Sequence, residues 1–364
     1  MRIRSIEVRE HAVPLTKPYE IASGTTAAAE LVTVAITADA GGTGFVGLGA
    51  GTPEPTVTGE TFAATRDALA PARTEPLVGR DLDSFGTLLA EIEHAWRATP
   101  AAAAALDVAL HDLRARSFGL PLVDLFGRTG DALATSVTIG ILPPDESVVE
   151  AETFVAQGFR ALKLKIGLDL DGDLERIAKI RETVGRDVAL RVDGNCGFAP
   201  REVPRLLAEC ARFGVELVEQ PCPPEADHEL RAIPRAARRA LVADESIHSP
   251  ADALRLAARM TSDDEPLYGG FVIKLMKCGG LAPARRIAAI AEAADLKLMW
   301  GCMDESSASI AAALHTAYAS TATRWLDLDG SFDLERDPAH GGFRLESGYM
   351  FTLSTPGTGA ELGP

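Results

Sequence analysis

The sequence predicts an α/β protein: a β/α barrel of eight units with a smaller α+β cap formed by the N-terminal segment and the C-terminal tail. Three observations carry this. The chain has 364 residues, more than a single hydrophobic core usually serves. From about residue 134, short apolar strands alternate with amphipathic helices, and eight such units follow one another at a spacing of roughly 25 to 30 residues. Strict alternation implies a parallel sheet, and eight units suit closure into a barrel; a doubly wound open sheet satisfies the same alternation. The first 126 residues have a different rhythm, with strands first and helices after.

Residues 1 to about 60 contain "IRSIEVREHAVPL", "ELVTVAITA" and "TGFVGLGAG", divided by Gly, Pro and Thr turns. From about 60 to 126 the pattern is helical and alanine-rich. Ala105, Ala109 and Leu113, with Leu106 and Leu110, form a helix-period face before "FGLP" breaks it. The barrel strands read "TSVTIGI", "ALKLKIG", "VALRVDGN", "VELVEQP", "ALVADES", "GFVIKLM", "KLMWGCM" and "RWLDLDG". Helices are expected near 146–157, 173–184, 200–212, 228–239, 250–260, 281–293 and 305–318. The Gly/Pro-rich stretch 336–364 is predicted without helix. The expected division is thus 1–126 as cap, 127–335 as barrel and 336–364 as a segment returning to the cap.

Bulk properties narrow the function. A formal charge of −16 argues against nucleic acid and anionic membrane as partners. No apolar run is long enough to span a bilayer. "MRIRSIEVREHAVPL" alternates like a strand and lacks the apolar stretch of a signal peptide, so a cytoplasmic location is expected. Cys196, Cys210, Cys222, Cys278 and Cys302 are odd in number and lack metal-site spacing, which suits reduced thiols. A homo-oligomer is expected.

Only 7 of the 36 basic residues are lysines, and two of them stand one residue apart in "FRALKLKIG". Leu162, Leu164 and Ile166 alternate with Lys163 and Lys165, so both ammonium groups share one face of an otherwise apolar strand. Barrel active sites gather at the C-terminal ends of the strands. Those ends carry Lys163 and Lys165, Asp193 and Asn195, Glu219, Asp244 and Glu245, Lys274, Met303, Asp304 and Glu305, then Asp327 and Asp329. Asp193, Glu219 and Asp244 come from consecutive strands with no accompanying His or Cys ligand, a set suited to a hard cation, Mg²⁺ foremost. Taken singly, each acid reads equally well as a cap or an ion-pair partner. Lys165 and Lys274 flank the acids, and would face each other across a closed barrel. One would remove the α-proton of a metal-bound carboxylate substrate and the other would reprotonate the opposite face, with the metal holding an enediolate. Lys163 is expected to disfavour the ammonium form of Lys165.

Together "KLKIG", "RVDGN", "VEQP", "ADES" and "IKLMKCGG" resemble the enolase superfamily in its muconate-lactonizing subgroup. "VGLGAGTP", "ALDVALHDL" and "STPGTGAEL" extend the resemblance over nearly the whole chain. It implies Asp193, Glu219 and Asp244 as Mg²⁺ ligands, and Lys165 with Lys274 as the base pair. "TVTGET", "LMWGCMDES" and "LDLD" are similar to the dipeptide epimerases, in which the two strand-eight aspartates, here Asp327 and Asp329, bind the substrate α-ammonium. The bland alternative for these two is a turn-forming pair before Gly330. Thr138, Met303 and Asp304 are expected to contact substrate, and Asn195 and Glu245 to support the ligands. Members acting on Ala–Glu carry a basic residue soon after a stretch like "PLTKPY". Here "EIASGTTAAAE" has neither Arg nor Lys, and Glu20, Asp304 or Glu305 would suit an uncharged or basic side chain instead.

The expected function is therefore Mg²⁺-dependent epimerisation of a dipeptide at its C-terminal residue. Alternatives within the fold are an N-acyl amino acid racemase, an o-succinylbenzoate synthase or a cycloisomerase. Outside this chemistry, a Schiff-base aldolase or a non-catalytic metal-binding barrel remains open.

Overall fold

The computed structural model describes residues 1–21, 24–258 and 266–363. Strands Arg2–Ile21, Gly24–Ala40 and Thr43–Gly51 form an antiparallel sheet. The helix Pro100–Ser117 lies across it, buried along most of its length. Its proximity explains "VGLGAG". A Cβ on Gly47, Gly49 or Gly51 would stand 2.1, 2.1 or 2.4 Å from the carbonyl oxygens of Ala109, Ala105 and Ala101. Glycines two apart on one strand face thus meet a row spaced by four on the helix, and only glycine leaves room.

Eight parallel strands follow: Ser136–Ile139, Ala161–Lys165, Ala189–Asp193, Val215–Glu219, Leu241–Ala243, Gly270–Ile273, Lys297–Gly301 and Thr323–Asp327. They pair in sequence order, hereafter barrel strands one to eight. Strand eight returns to strand one through a Thr135–Leu326 bridge. The Leu328 amide donates to Thr135 Oγ1 at 2.8 Å, and Ser136 Oγ lies 3.2 Å from the Leu326 carbonyl oxygen. The sheet is a barrel, not the open alternative.

Alternation decides what lies inside. Leu162 and Leu164 join Leu190, Val192 and the helix residues Ile177 and Ile180 in the core between strands and helices. Lys163 and Lys165 therefore point inward. Leu217, Val242, Val272, Met299 and Trp325, one from each of strands four to eight, form a separate apolar cluster inside the barrel. The interior beside strands one to three is polar instead: Ser136, Lys163 and Arg191 are all buried there.

The expected helices are present, that of 250–260 as Pro250–Ala257 with residues 259 and 260 outside the described residues, and one needs correction. The run 228–239 is a 3₁₀ segment Pro224–Ala232 and a single turn Arg235–Arg238. Pro234 lies between them, and proline has no amide hydrogen to carry a helix through. The C-terminal segment contributes Ala339–Gly341 paired with Ala360–Leu362, and Phe343–Glu346 paired with Tyr349–Thr352. Asp112 of the long helix accepts from the amides of Leu48 (2.8 Å) and Thr358 (2.6 Å), tying this tail to the first sheet. Arg116 donates to the Ala360 carbonyl at 2.6 Å. The first strand also reaches the barrel, where the Thr16 amide donates to the Asp333 carbonyl at 2.8 Å. Among the described residues no helix is long and apolar enough to cross a membrane.

Candidate active site

Register brings the charged strand ends to one level. Lys165 pairs with Asp193, and Asp193 with Glu219, across strands two to four. Asp244 follows the end of strand five, Lys274 the end of strand six. Gly301 on strand seven keeps space for Lys274, since a Cβ there would lie 3.2 Å from its Cε. A cavity of about 1150 Å³ opens above these ends, and Thr138, Lys163, Lys165, Asn195, Asp244, Glu245, Lys274, Met303, Asp304, Asp327 and Asp329 line it. Of the expected catalytic, metal, substrate and supporting residues, Asp193 and Glu219 do not reach the cavity wall and lie fully buried.

Lys163 is 2% exposed. Its Nζ stands 2.9 Å from Asp193, 2.7 Å from Glu219 and 2.8 Å from Asp327. Burial lowers its pKa, but the charges of Asp193, Asp327 and Glu219 outweigh that and hold it well above the lysine value. Lys165 donates to Asp193 at 2.8 Å and to Asn195 Oδ1 at 3.1 Å. Asn195 in turn donates to Glu245 at 3.1 Å. Lys274 lies 2.9 Å from Asp244 Oδ2. Burial opposes its charge, yet Asp244 and Glu219 raise its pKa.

The acids differ among themselves. Burial raises Glu219 well above the usual carboxylate range, and the charges of Asp193 and Asp244 add to it. Asp193 and Asp244 are also buried, but ammonium groups prevail: Lys163 and Lys165 lower Asp193, and Lys274 and Lys277 lower Asp244. Among the described residues no three such acids are gathered tightly enough to hold an ion as they stand; ammonium groups lie between them. Their donor chemistry nevertheless fits Mg²⁺. Glu219 Oε1 and Oε2 and Asp244 Oδ2 are buried without a hydrogen-bond partner, Glu219 Oε2 being close to Lys163 but out of alignment. Orphaned carboxylate oxygens on adjacent strands are what a hard cation uses.

Asp327 and Asp329 are unequal. Asp327 accepts from Ser136 at 2.6 Å and from Lys163 at 2.8 Å, so both its oxygens are engaged. Asp329 accepts the Thr138 amide at 2.8 Å on Oδ2, and the Cys302 thiol stands 3.9 Å from its Oδ1. Burial, then the charge of Asp327, push Asp329 up to about 7. Glu305 does not line the cavity; it accepts the Met303 amide at 2.8 Å, and burial pushes it up to about 7. The Glu20 side chain lies outside the described residues. All five thiols are free, and of them Cys196 and Cys302 reach the cavity.

Two groups escaped the sequence reading. Lys277, buried against Asp244, was visible only as the second lysine of "IKLMKCGG". The outer cavity wall, made of Lys17, Glu54, Asp145, Glu146, Glu150 and Asp333, left no signal beyond the acidic surface of a predicted helix.

The model for the mandelate racemase/muconate lactonizing enzyme N-terminal domain matches residues 3–127, and the enolase C-terminal domain-like model matches residues 146–364. The chain is 50% identical to an L-Lys-D/L-Arg epimerase of Methylococcus capsulatus, over 99% of each chain. It is 35% identical to the L-Ala-D/L-Glu epimerase of Bacillus subtilis, over 99% of this chain and 96% of that one. The crystal structure of the dipeptide epimerase from Methylococcus capsulatus complexed with Mg and the dipeptide L-Arg-D-Lys superposes with a TM-score of 0.95, at 49% identity over 99% of each chain. Matched along its length by both domain models and by these relatives, the chain belongs to the mandelate racemase/muconate lactonizing enzyme family of the enolase superfamily, alongside its dipeptide epimerases.

Proposed function

We propose that the chain is a Mg²⁺-dependent dipeptide epimerase that inverts the α-carbon of the C-terminal residue, acting on dipeptides with cationic side chains. The observation that carries the reading is the pair Lys165 and Lys274, which enter one cavity from strands two and six with three buried acids on the strands between. An α-carbon held between them exchanges its proton with one ammonium or amine on each face, the requirement for inversion. Asp193, Glu219 and Asp244 would hold the metal. Bound Mg²⁺ would stabilise negative charge developing on the substrate carboxylate and weaken the support that Asp244 and Glu219 give the Lys274 ammonium. Lys163 stays cationic beneath Asp193 and Asp327. With Asp327 occupied by Lys163 and Ser136, Asp329 is the carboxylate with capacity left for the substrate α-ammonium.

The outer cavity supports the cationic preference. Five acids, Glu54, Asp145, Glu146, Glu150 and Asp333, line the cavity together with Asp304, and apart from the lysines beside the acid cluster Lys17 is the one ammonium on its wall among the described residues. Lys17 itself is paired with Glu150 at 2.7 Å. The name of the relative that is 50% identical, L-Lys-D/L-Arg epimerase, points the same way.

A dipeptide library incubated in D₂O and read by mass spectrometry tests the proposal. Lys- and Arg-containing dipeptides should gain one mass unit at the C-terminal α-carbon and epimerise, and L-Ala-L-Glu should lag behind them. Lys165→Ala and Lys274→Ala should each abolish epimerisation; inversion retained by either variant would sink the two-base mechanism. Asp327→Asn with Asp329→Asn should remove most of the affinity for a dipeptide. An N-acyl amino acid racemase, whose substrate has no α-ammonium, would keep its activity.

A further inference from the structure

Lys277 is one of four buried or half-buried lysines around the acids, and the mechanism above gives it no task. It lies in the one-turn helix Leu275–Cys278, directly after Lys274. Its amide donates to the Lys274 carbonyl at 3.1 Å, and Gly279 in the left-handed region (φ 89°) ends the turn. The turn brings both lysines onto Asp244 of the neighbouring strand.

An ammonium has three donors, and Lys277 spends all of them locally. It donates to the Asp244 carbonyl oxygen at 2.5 Å, to Asp244 Oδ1, and to the Val272 carbonyl at 3.4 Å. The Asp244 amide is held from the other side by Gln220 Oε1 at 2.9 Å. Main chain and one carboxylate oxygen are thereby fixed, while Oδ2 has no hydrogen-bond partner and faces Lys274. The side chain of Lys277 is 1% exposed, so solvent neither screens this contact nor competes for it.

We propose that Lys277 is a positioning residue that orients the Asp244 carboxylate and thereby sets the affinity of the site for Mg²⁺. The inference rests on the reading of Asp244 as a metal ligand. Its physical content lies in a sign. A buried ammonium beside a cation site repels the cation, so if Lys277 served only as a counter-charge, its removal would tighten Mg²⁺ binding. If it serves by orientation, removal weakens binding, as the loss of groups that hold ligands in place commonly does, by about 10–100-fold.

The test is calorimetric titration of metal-free protein with MgCl₂ alone, using wild type, Lys277→Met and Lys277→Arg. Circular dichroism and thermal midpoints identify which variants are folded. Lys277→Arg keeps the charge, but no nitrogen of its planar fork has the three diverging donors that Lys277 directs to Asp244 O, Asp244 Oδ1 and Val272 O. Both variants should bind Mg²⁺ about 10–100-fold more weakly than wild type, and kcat should fall more than KM rises. Binding by Lys277→Met as tight as wild type or tighter, or wild-type binding by Lys277→Arg, would overturn the proposal. If Lys277→Met does not fold, Lys277→Arg decides alone. Failure of wild type to bind Mg²⁺ would refute the metal-ligand reading instead.

Discussion

Replacing Lys163 with methionine keeps the volume of the side chain and deletes a charge that three buried carboxylates share. Lys163 is 2% exposed and lies within 2.9 Å of Asp193, Glu219 and Asp327. Removing one partner of a buried ion pair costs about 3–5 kcal/mol, and sharing among three acids places this change toward the upper end. An unfolding entropy of about 2.1 cal/mol/K per residue over 364 residues is roughly 0.8 kcal/mol/K, so the thermal midpoint should fall by roughly 4–7 °C. Scanning calorimetry in EDTA measures this. Repeating the scan in Mg²⁺ adds a second reading. A ligand at a hundred times its Kd stabilises by about 2.7 kcal/mol. The variant, whose acids have lost their internal cation, should gain more from Mg²⁺ than wild type does. An unchanged midpoint in EDTA, or an equal Mg²⁺ gain in both proteins, would refute the view that Lys163 neutralises the acid cluster.

Asp329, raised to about 7 by burial and by Asp327, is neutral below that pH and anionic above it. Its attraction for a substrate ammonium should therefore fade as pH drops through 7. KM for a dipeptide should rise over that interval in wild type and stay flat, at a higher value, in Asp329→Asn; a flat wild-type profile would contradict the assignment. Gly49→Ala would press a methyl against the Ala105 carbonyl, 2.1 Å from the new Cβ. Overpacking of this kind costs about 1–3 kcal/mol, so the urea midpoint should fall, and a retained midpoint would mean that the helix can move away from the sheet.

Much of the fold was legible because its physical signals are local. The eight barrel strands showed as short apolar runs alternating with amphipathic helices; their number favoured closure, and the Thr135–Leu326 bridge decided it against the open sheet. The run 228–239 was misread because its helical composition spans Pro234, which divides the segment. The centre of the site was legible for the opposite reason, as a breach of pattern. Lys163, Lys165, Asp193, Glu219, Asp244 and Lys274 stand where a bland core strand would carry apolar residues.

By itself the sequence determined which groups exist at each strand end, since strand periodicity and the scarcity of lysine are properties of the chain alone. Tertiary structure decided how those groups divide their charges. Asp327 and Asp329 look alike in "LDLD", but only the closed barrel brings Ser136 and the Lys163 ammonium onto the first and the Thr138 amide and Cys302 thiol onto the second. Lys277 and the acids of helix Pro144–Ala156 read as ordinary charges until the topology puts one beneath Asp244 and the others over the cavity mouth. Coulomb interactions depend on distance and on exclusion of water. Both quantities are set by residues tens to hundreds of positions apart, so no local pattern contains them.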